Sequence, residues 1–62
     1  MHDPELLASA VRGVIAEEIK AVEEYRAGKG AALQFLLGKS MKATGGAGNP
    51  ALLKELIVKE LG

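Results

Sequence analysis

The sequence contains no cysteine, one histidine and only two aromatic residues, Tyr25 and Phe35. Without cysteine, neither a disulfide framework nor a thiolate zinc site can stabilise the fold. The single histidine, His2, excludes a histidine-rich metal site. No apolar run approaches the roughly 18–20 residues that cross a bilayer, and the first residues lack the basic lead of a signal peptide. We therefore expect a cytoplasmic protein that has no membrane contact, no metal and no cofactor.

The 62 residues suffice for one domain, which we expect to span residues 1–62 and to be marginally stable. The net charge is zero, but the charges are unevenly distributed. Residues 1–24 carry six acidic and two basic side chains, whereas residues 25–54 carry five basic side chains and no acidic one. Two interpretations follow: attraction between two parts of the chain, or a basic surface for an anionic partner.

Helical periodicity predicts an all-α fold, with three helices and a short fourth, and no strand-like alternation occurs. Asp3 and Pro4 form a helix start signal, and Asn49-Pro50 form another. Glycine follows the second predicted helix at Gly28, where a left-handed C-cap favours it. In the last helix, Leu52, Leu53, Leu56, Ile57 and Leu61 are expected to point inward. The predicted helices span residues 4–17, 19–27, 30–44 and 50–61.

The boundary between the first two helices is less sharply marked. No glycine or proline separates Glu18 from Gly28, so local rules permit one continuous helix from Pro4 to Ala27. The apolar direction nevertheless changes after Glu17, which favours a break near residues 17–20.

The third helix is predicted to be central because two apolar stripes run along it. Helices with two apolar faces usually lie between neighbouring helices. On this interpretation, Gly38 beside Phe35 lets another backbone approach closely. One stripe comprises Leu33, Leu36, Leu37, Ser40, Met41 and Thr44, and the other comprises Ala31, Phe35, Gly38 and Lys42.

Catalytic motifs are absent from the sequence. Gly38-Lys39-Ser40 resembles the end of a phosphate-binding P-loop, but Leu33 stands where that motif requires glycine, and the triplet lies inside a helix. Ser9 and Ser40 have no plausible base partner. The adjacent glutamates Glu17-Glu18 and Glu23-Glu24 point about 100° apart on a helix, as expected of solvated faces. We therefore expect no enzymatic activity in this chain.

The glycine-dense loop, residues 45–48, is the better chemical candidate. Flexible glycines before a helix N-terminus can present free backbone N–H groups to a phosphate oxygen. A plain interhelical turn is the alternative. Lys39 and Lys42, three residues apart on the preceding helix, could contribute to the same phosphate-binding surface.

Three segments then resemble one family, the GatB/YqeY tail domain. This domain is the C-terminal module of the GatB subunit of the glutamine-dependent aspartyl/glutamyl-tRNA amidotransferase. The resemblance extends over about residues 4–61 and implies that the chain is a fragment of a larger subunit. The segments are residues 21–29 (AVEEYRAGK), 35–45 (FLLGKSMKATG) and Asn49-Pro50.

The resemblance implies a non-catalytic helical domain that contacts the outer corner of tRNA. In that complex the acylated side chain is phosphorylated with ATP and amidated elsewhere, on the large N-terminal part of the GatB subunit and with ammonia from an amidase subunit. The expected partners are tRNA and the other domains and subunits, and the isolated domain is expected to be a monomer. The candidate RNA-binding residues are Arg26, Lys29, Lys39, Lys42, Thr44, Gly45, Gly46 and Asn49.

This sequence departs from the family pattern at three places. Glu18-Ile19 replaces the usual Asn-Pro, Lys39 stands where the family has glutamine, and the loop after Thr44 lacks the usual lysines. The phosphate contacts are therefore expected either to shift from the loop to the helix or to be weaker. A protein-interaction module, docking through exposed apolar residues such as Phe35 or Val58, is the alternative function.

Overall fold

The computed structural model describes residues 4–46 and 48–62 as four α-helices and the segments between them. The helices are α1 (Pro4–Glu17), α2 (Ile19–Arg26), α3 (Gly30–Ala43) and α4 (Pro50–Leu61). The all-α fold predicted from the sequence is confirmed, and the four helices differ from the expected spans by at most one residue. The expected Asp3 cap, His2 and loop residue Ala47 lie outside the described residues.

The second helix ends in a left-handed glycine, as the sequence predicted. Gly28 follows α2 with φ +100°, and its N–H donates to the Tyr25 carbonyl. The N–H of Lys29 then donates to the Glu24 carbonyl at 3.0 Å. These two bonds define the Schellman motif, which satisfies carbonyls left free at a helix end.

The chain changes direction at Glu18, so the single continuous helix is the wrong alternative. Glu18 lies between α1 and α2 with φ −104° and ψ 55°, outside helical values. Its N–H donates to Val14 O and its carbonyl accepts from Val22 N, so the hydrogen bonds continue across the break. The break therefore redirects the apolar side without leaving these backbone groups unpaired.

The core lies between α3 and the other helices, because α3 contacts each of them. α1 and α2 contact each other much less. Ser40 is also fully buried, and its hydroxyl has no hydrogen-bond partner among the described residues. The buried apolar side chains are Leu7, Val11, Ala21, Ala32, Leu36, Leu53, Ile57 and Leu61.

The prediction that α3 is covered on a second apolar side is wrong. The residues of that stripe, Ala31, Phe35, Gly38 and Lys42, are all exposed. Nothing lies within 4 Å of a Cβ added at Gly38, so no backbone approaches there. The reason is that α2 borders the first half of α3, and the end of α1 borders the second half. Since α2 and α1 follow one another along α3, the side of α3 that carries Phe35 and Gly38 stays in solvent.

One inward assignment in α4 is also wrong. Leu52 is 40% exposed, whereas Leu53 and Ile57 are fully buried. At 100° per residue, Leu52 lies roughly 140° around the helix from Ile57. The buried side of α4 is therefore centred on Leu53, Ile57 and Leu61, and Leu52 lies outside it.

Candidate nucleic-acid interface

The outer face of α3 comprises Phe35, Gly38, Lys39 and Lys42, all of them exposed. Residues three and four apart lie on the same side of a helix, so Phe35, Lys39 and Lys42 are neighbours. No acidic residue occurs in α3. The outer face therefore presents two ammonium groups and one half-exposed aromatic ring on a single helix.

Lys39 is held by two contacts on this face. Its Nζ lies 3.6 Å from Glu18 Oε2, which belongs to the residue at the α1–α2 break. The same Nζ lies 5.8 Å from the centroid of the Phe35 ring, within the range of a cation–π contact. The Glu18–Lys39 pair is therefore one example of the attraction between acidic and basic parts of the chain that the charge distribution suggested. Lys42 is in no ion pair within 4 Å that involves the described residues.

Two grooves adjoin the outer face of α3, and Glu18 borders both. The Phe35 groove, between α2 and α3, has a volume of about 410 Å³ and is lined by Glu18, Lys20, Ala21, Glu24, Lys29, Ala31, Ala32 and Phe35. The Lys42 groove, beside the end of α1, has a volume of about 210 Å³ and is lined by Val14, Glu17, Glu18, Lys39, Lys42 and Ala43. The Glu18–Lys39 pair thus lies between a groove with an aromatic ring and a groove that carries two lysines and two glutamates.

Arg26 points to a different part of the molecule from Lys39 and Lys42. Its Nη2 donates to the Leu61 carbonyl at 3.3 Å, at the C-terminal end of α4. Lys29 immediately precedes α3, and the 1.5 Å helical rise puts it roughly 20 Å from Lys42 along the axis. Lys29, Lys39 and Lys42 therefore form an extended series along α3 rather than one cluster, and Arg26 lies apart from it.

The N–H groups of Gly45 and Gly46 are not free, which favours the interhelical-turn interpretation of this part of the loop. Gly45 N–H donates to Lys42 O at 3.1 Å, and Gly46 N–H donates to Met41 O at 2.9 Å. Both glycines have positive φ, 63° and 77°, and complete a second Schellman motif. The Thr44 hydroxyl also donates to Met41 O, at 3.1 Å. These groups terminate α3, so a phosphate would have to compete with carbonyls for them.

Asn49 has a structural role at the start of α4. Its side-chain Oδ1 accepts a hydrogen bond from Ala51 N–H at 2.8 Å, and Pro50 follows as the first helical residue. This is the N-cap that the sequence predicted. The assignment of Thr44, Gly45, Gly46 and Asn49 to RNA binding stays a prediction.

Two features of this surface were not assigned to the RNA site from the sequence. Glu18 was regarded as part of a solvated face, yet it pairs with Lys39. Phe35 was assigned to a buried stripe in one interpretation and to a docking surface in the other, and it is 47% exposed. No local signal in the sequence predicts the Glu18–Lys39 pair or the exposure of Phe35, because both depend on where α2 lies against α3.

No group of three His, Cys, Asp or Glu side chains converges within residues 4–46 and 48–62. No helix in this part of the chain is long and apolar enough to cross a membrane.

Comparison with known families and curated proteins gives a consistent result. The family model for the GatB domain, of the GatB/YqeY group, matches residues 1–61. The GatB subunit of the aspartyl/glutamyl-tRNA(Asn/Gln) amidotransferase of Methanoregula boonei is 48% identical over 59 residues, which are 95% of this chain and 12% of that protein. The corresponding subunit of Cupriavidus metallidurans is 47% identical over 62 residues, 100% of this chain and 13% of that protein.

A plant relative extends the similarity. The chloroplastic/mitochondrial GatB subunit of the glutamyl-tRNA(Gln) amidotransferase of Physcomitrium patens is 41% identical over 98% of this chain and 11% of its own length. The chain thus spans about an eighth of the length of the first curated relatives it matches. No solved structure gives a significant match. The family match over nearly the whole chain establishes that it belongs to the GatB domain family.

Proposed function

We propose that this chain is a non-catalytic tRNA-binding domain of an amidotransferase GatB subunit. Its relatives are named as GatB subunits of aspartyl/glutamyl-tRNA amidotransferases, and the chain matches a small part of them. In the parent complex, ATP-dependent activation of the acylated side chain and transfer of ammonia would take place on other domains and subunits. This domain would hold the outer corner of the tRNA.

The observation that carries the proposal is the pair Lys39 and Lys42 on the outer face of α3. Both are exposed, and α3 itself carries no carboxylate. Lysine ammonium groups contact phosphate oxygens as point charges, which gives affinity without base specificity. Binding of this kind recognises the shape and charge of tRNA. Lys29 and Arg26 would extend the phosphate contacts toward the other end of α3.

The proposal is tested by measuring tRNA affinity at several salt concentrations for the wild type and the Lys39→Ala/Lys42→Ala variant. About four neutralised phosphates give a slope of log affinity against log salt near −3 to −4. The double variant should flatten this slope by up to about 2. A wild-type affinity that is independent of salt, or absent at millimolar RNA, contradicts the proposal.

A matched control uses two lysines of α4. Lys54 and Lys59 are exposed and border a groove on the outer side of that helix. The Lys54→Ala/Lys59→Ala variant removes the same charge from a different surface. It should leave the salt slope within about 1 of the wild-type value, because only long-range attraction is lost. Equal loss in both double variants would indicate a general charge effect instead of a site on α3.

The alternative function is a protein-interaction domain that docks onto its own subunit or another protein. It is favoured by the exposed apolar side chains of α4, Leu52 and Val58. Amide-shift mapping of the labelled chain separates the two functions. Shifts in residues 26–49 upon addition of tRNA support RNA binding, whereas shifts around Leu52 and Val58 upon addition of the purified partner subunits support docking.

A further inference from the structure

We infer that the Phe35 groove binds an unpaired RNA nucleotide, whose base stacks on the Phe35 ring and whose phosphate faces Lys20 and Lys29. The inference rests on the proposed function and names the part of the RNA that this groove would take. It adds a base-stacking site to the phosphate contacts of Lys39 and Lys42.

Lys39 Nζ lies over one face of the Phe35 ring, 5.8 Å from its centroid, so the proposed base stacks on the opposite face. Phe35 is the only phenylalanine of the chain, and 47% of the residue is exposed. Gly38, on the same outer face, has open space where a Cβ would lie, so no side chain of that residue covers the ring. An aromatic face of this kind accepts any base, because every base has a π-face.

The groove has a volume of about 410 Å³ and carries charged side chains of both signs. Lys20 and Lys29 line it and offer ammonium groups to a phosphate. Glu24 lines it too and can only accept hydrogen bonds when ionised, for which a base amino group is a suitable donor.

An unpaired nucleotide fits these features better than a paired one. In an A-form helix the bases are stacked on each other and their faces are hidden, whereas unpaired loop bases can stack on aromatic side chains. Another exposed apolar surface, on α4, contains Leu52 and Val58 with Lys54, Glu55 and Lys59 but no aromatic ring. Of these two surfaces, the Phe35 groove alone combines an aromatic ring with groups for a phosphate and a base edge.

The first test uses affinity. Phe35→Leu should weaken binding to tRNA and to a single-stranded oligonucleotide about 5- to 150-fold, because base–aromatic stacking is lost. The salt slope should stay unchanged, because no charge is removed. Binding to a blunt, fully paired RNA should be unaffected. Val58→Ala, at an equally exposed apolar position on α4, is the matched control and should leave every affinity unchanged.

The second test reports stacking directly. The chain contains no tryptophan, so Phe35→Trp introduces a single indole. Its fluorescence should be quenched by the single-stranded oligonucleotide, whereas the control Val58→Trp should not be. Thermal unfolding of each variant without RNA shows whether the fold is retained, and we expect only small shifts at these exposed positions.

Three outcomes overturn the inference. If wild type binds tRNA with the expected salt slope while Phe35→Leu binds equally well, the stacking site is wrong and the proposed function stands. If Phe35→Trp is quenched or shifted only by purified partner subunits, the groove docks protein. If wild type binds no RNA at all, the proposed function fails together with the stacking site.

Discussion

Lys39 and Glu18 form an ion pair between α3 and the α1–α2 break, with Lys39 Nζ 3.6 Å from Glu18 Oε2. The Lys39 side chain is 46% exposed and that of Glu18 is 27% exposed. Pairs with this exposure contribute only about 0.2–1 kcal/mol to stability. The same carboxylate nevertheless lies where a phosphate would approach Lys39. On the proposed function, the pair therefore matters more for RNA binding than for the fold.

We predict that Glu18→Gln strengthens tRNA binding. In the wild type a phosphate that approaches Lys39 has to displace the Glu18 carboxylate, and the net gain in electrostatic attraction is smaller for that reason. Two unit charges about 4 Å apart in water interact with ~1 kcal/mol, which corresponds to an affinity gain of about 5-fold at low salt. The salt slope should steepen by up to about 1, since Lys39 would then release a counterion on binding. Titration of tRNA at several salt concentrations checks both values.

Glu60→Gln is the control for this variant. Glu60 Oε2 lies 3.6 Å from Arg12 Nη1, so the substitution removes the same charge and also breaks one surface ion pair. It should raise the affinity much less, because neither Arg12 nor Glu60 lines a groove beside the outer face of α3. An unchanged affinity of the Glu18→Gln variant would indicate that Lys39 contacts no phosphate.

Gly38→Ala is predicted to stabilise the fold. Gly38 lies inside α3, and nothing lies within 4 Å of the position that a Cβ would take. Alanine in a helix interior is favoured over glycine by about 0.5–1 kcal/mol. In a domain of this size that gain raises the melting temperature by several degrees. Thermal unfolding measured by circular dichroism checks the value.

The control for this prediction is Gly28→Ala. Gly28 also has open space around it, but its φ is +100°, which L residues rarely adopt. Alanine there should lower the stability, because the C-cap of α2 would be strained. If Gly38→Ala also lowered the melting temperature, the close approach expected from the sequence would be correct after all.

The helix ends could be predicted from the sequence because their signals are local. Gly28 and Asn49-Pro50 act on their own segment, and the structure has a C-cap and an N-cap at those positions. The buried side of α3 was also recognisable, since Leu36 and Ser40 follow helical spacing. These features need only interactions between residues close in sequence.

The outer face of α3 could not be predicted in the same way. Whether Phe35 is buried depends on the side of α3 on which α1 and α2 pack, and periodicity does not determine this. The Glu18–Lys39 contact joins residues from different helices and has no local signal. The sequence therefore identified the basic residues of the candidate site but not the acidic and aromatic groups beside them.

The last prediction concerns Asn49, which is both an N-cap and a candidate RNA-binding residue. Asn49→Ala removes the acceptor for Ala51 N–H and should lower the free energy of unfolding by about 1 kcal/mol. Asn49→Asp keeps the acceptor, and its negative charge is favourable at a helix N-terminus, so stability should be retained. Urea unfolding checks both values.

The aspartate variant also separates the two roles of Asn49. A carboxylate repels a phosphate beside it. Asn49→Asp should therefore weaken tRNA binding if Asn49 contacts the RNA backbone. Because the N-cap is preserved, this loss would not come from unfolding of α4. If Asn49→Asp binds tRNA as well as the wild type does at low salt, Asn49 acts only as a cap. The phosphate contacts would then be left to the other candidate residues.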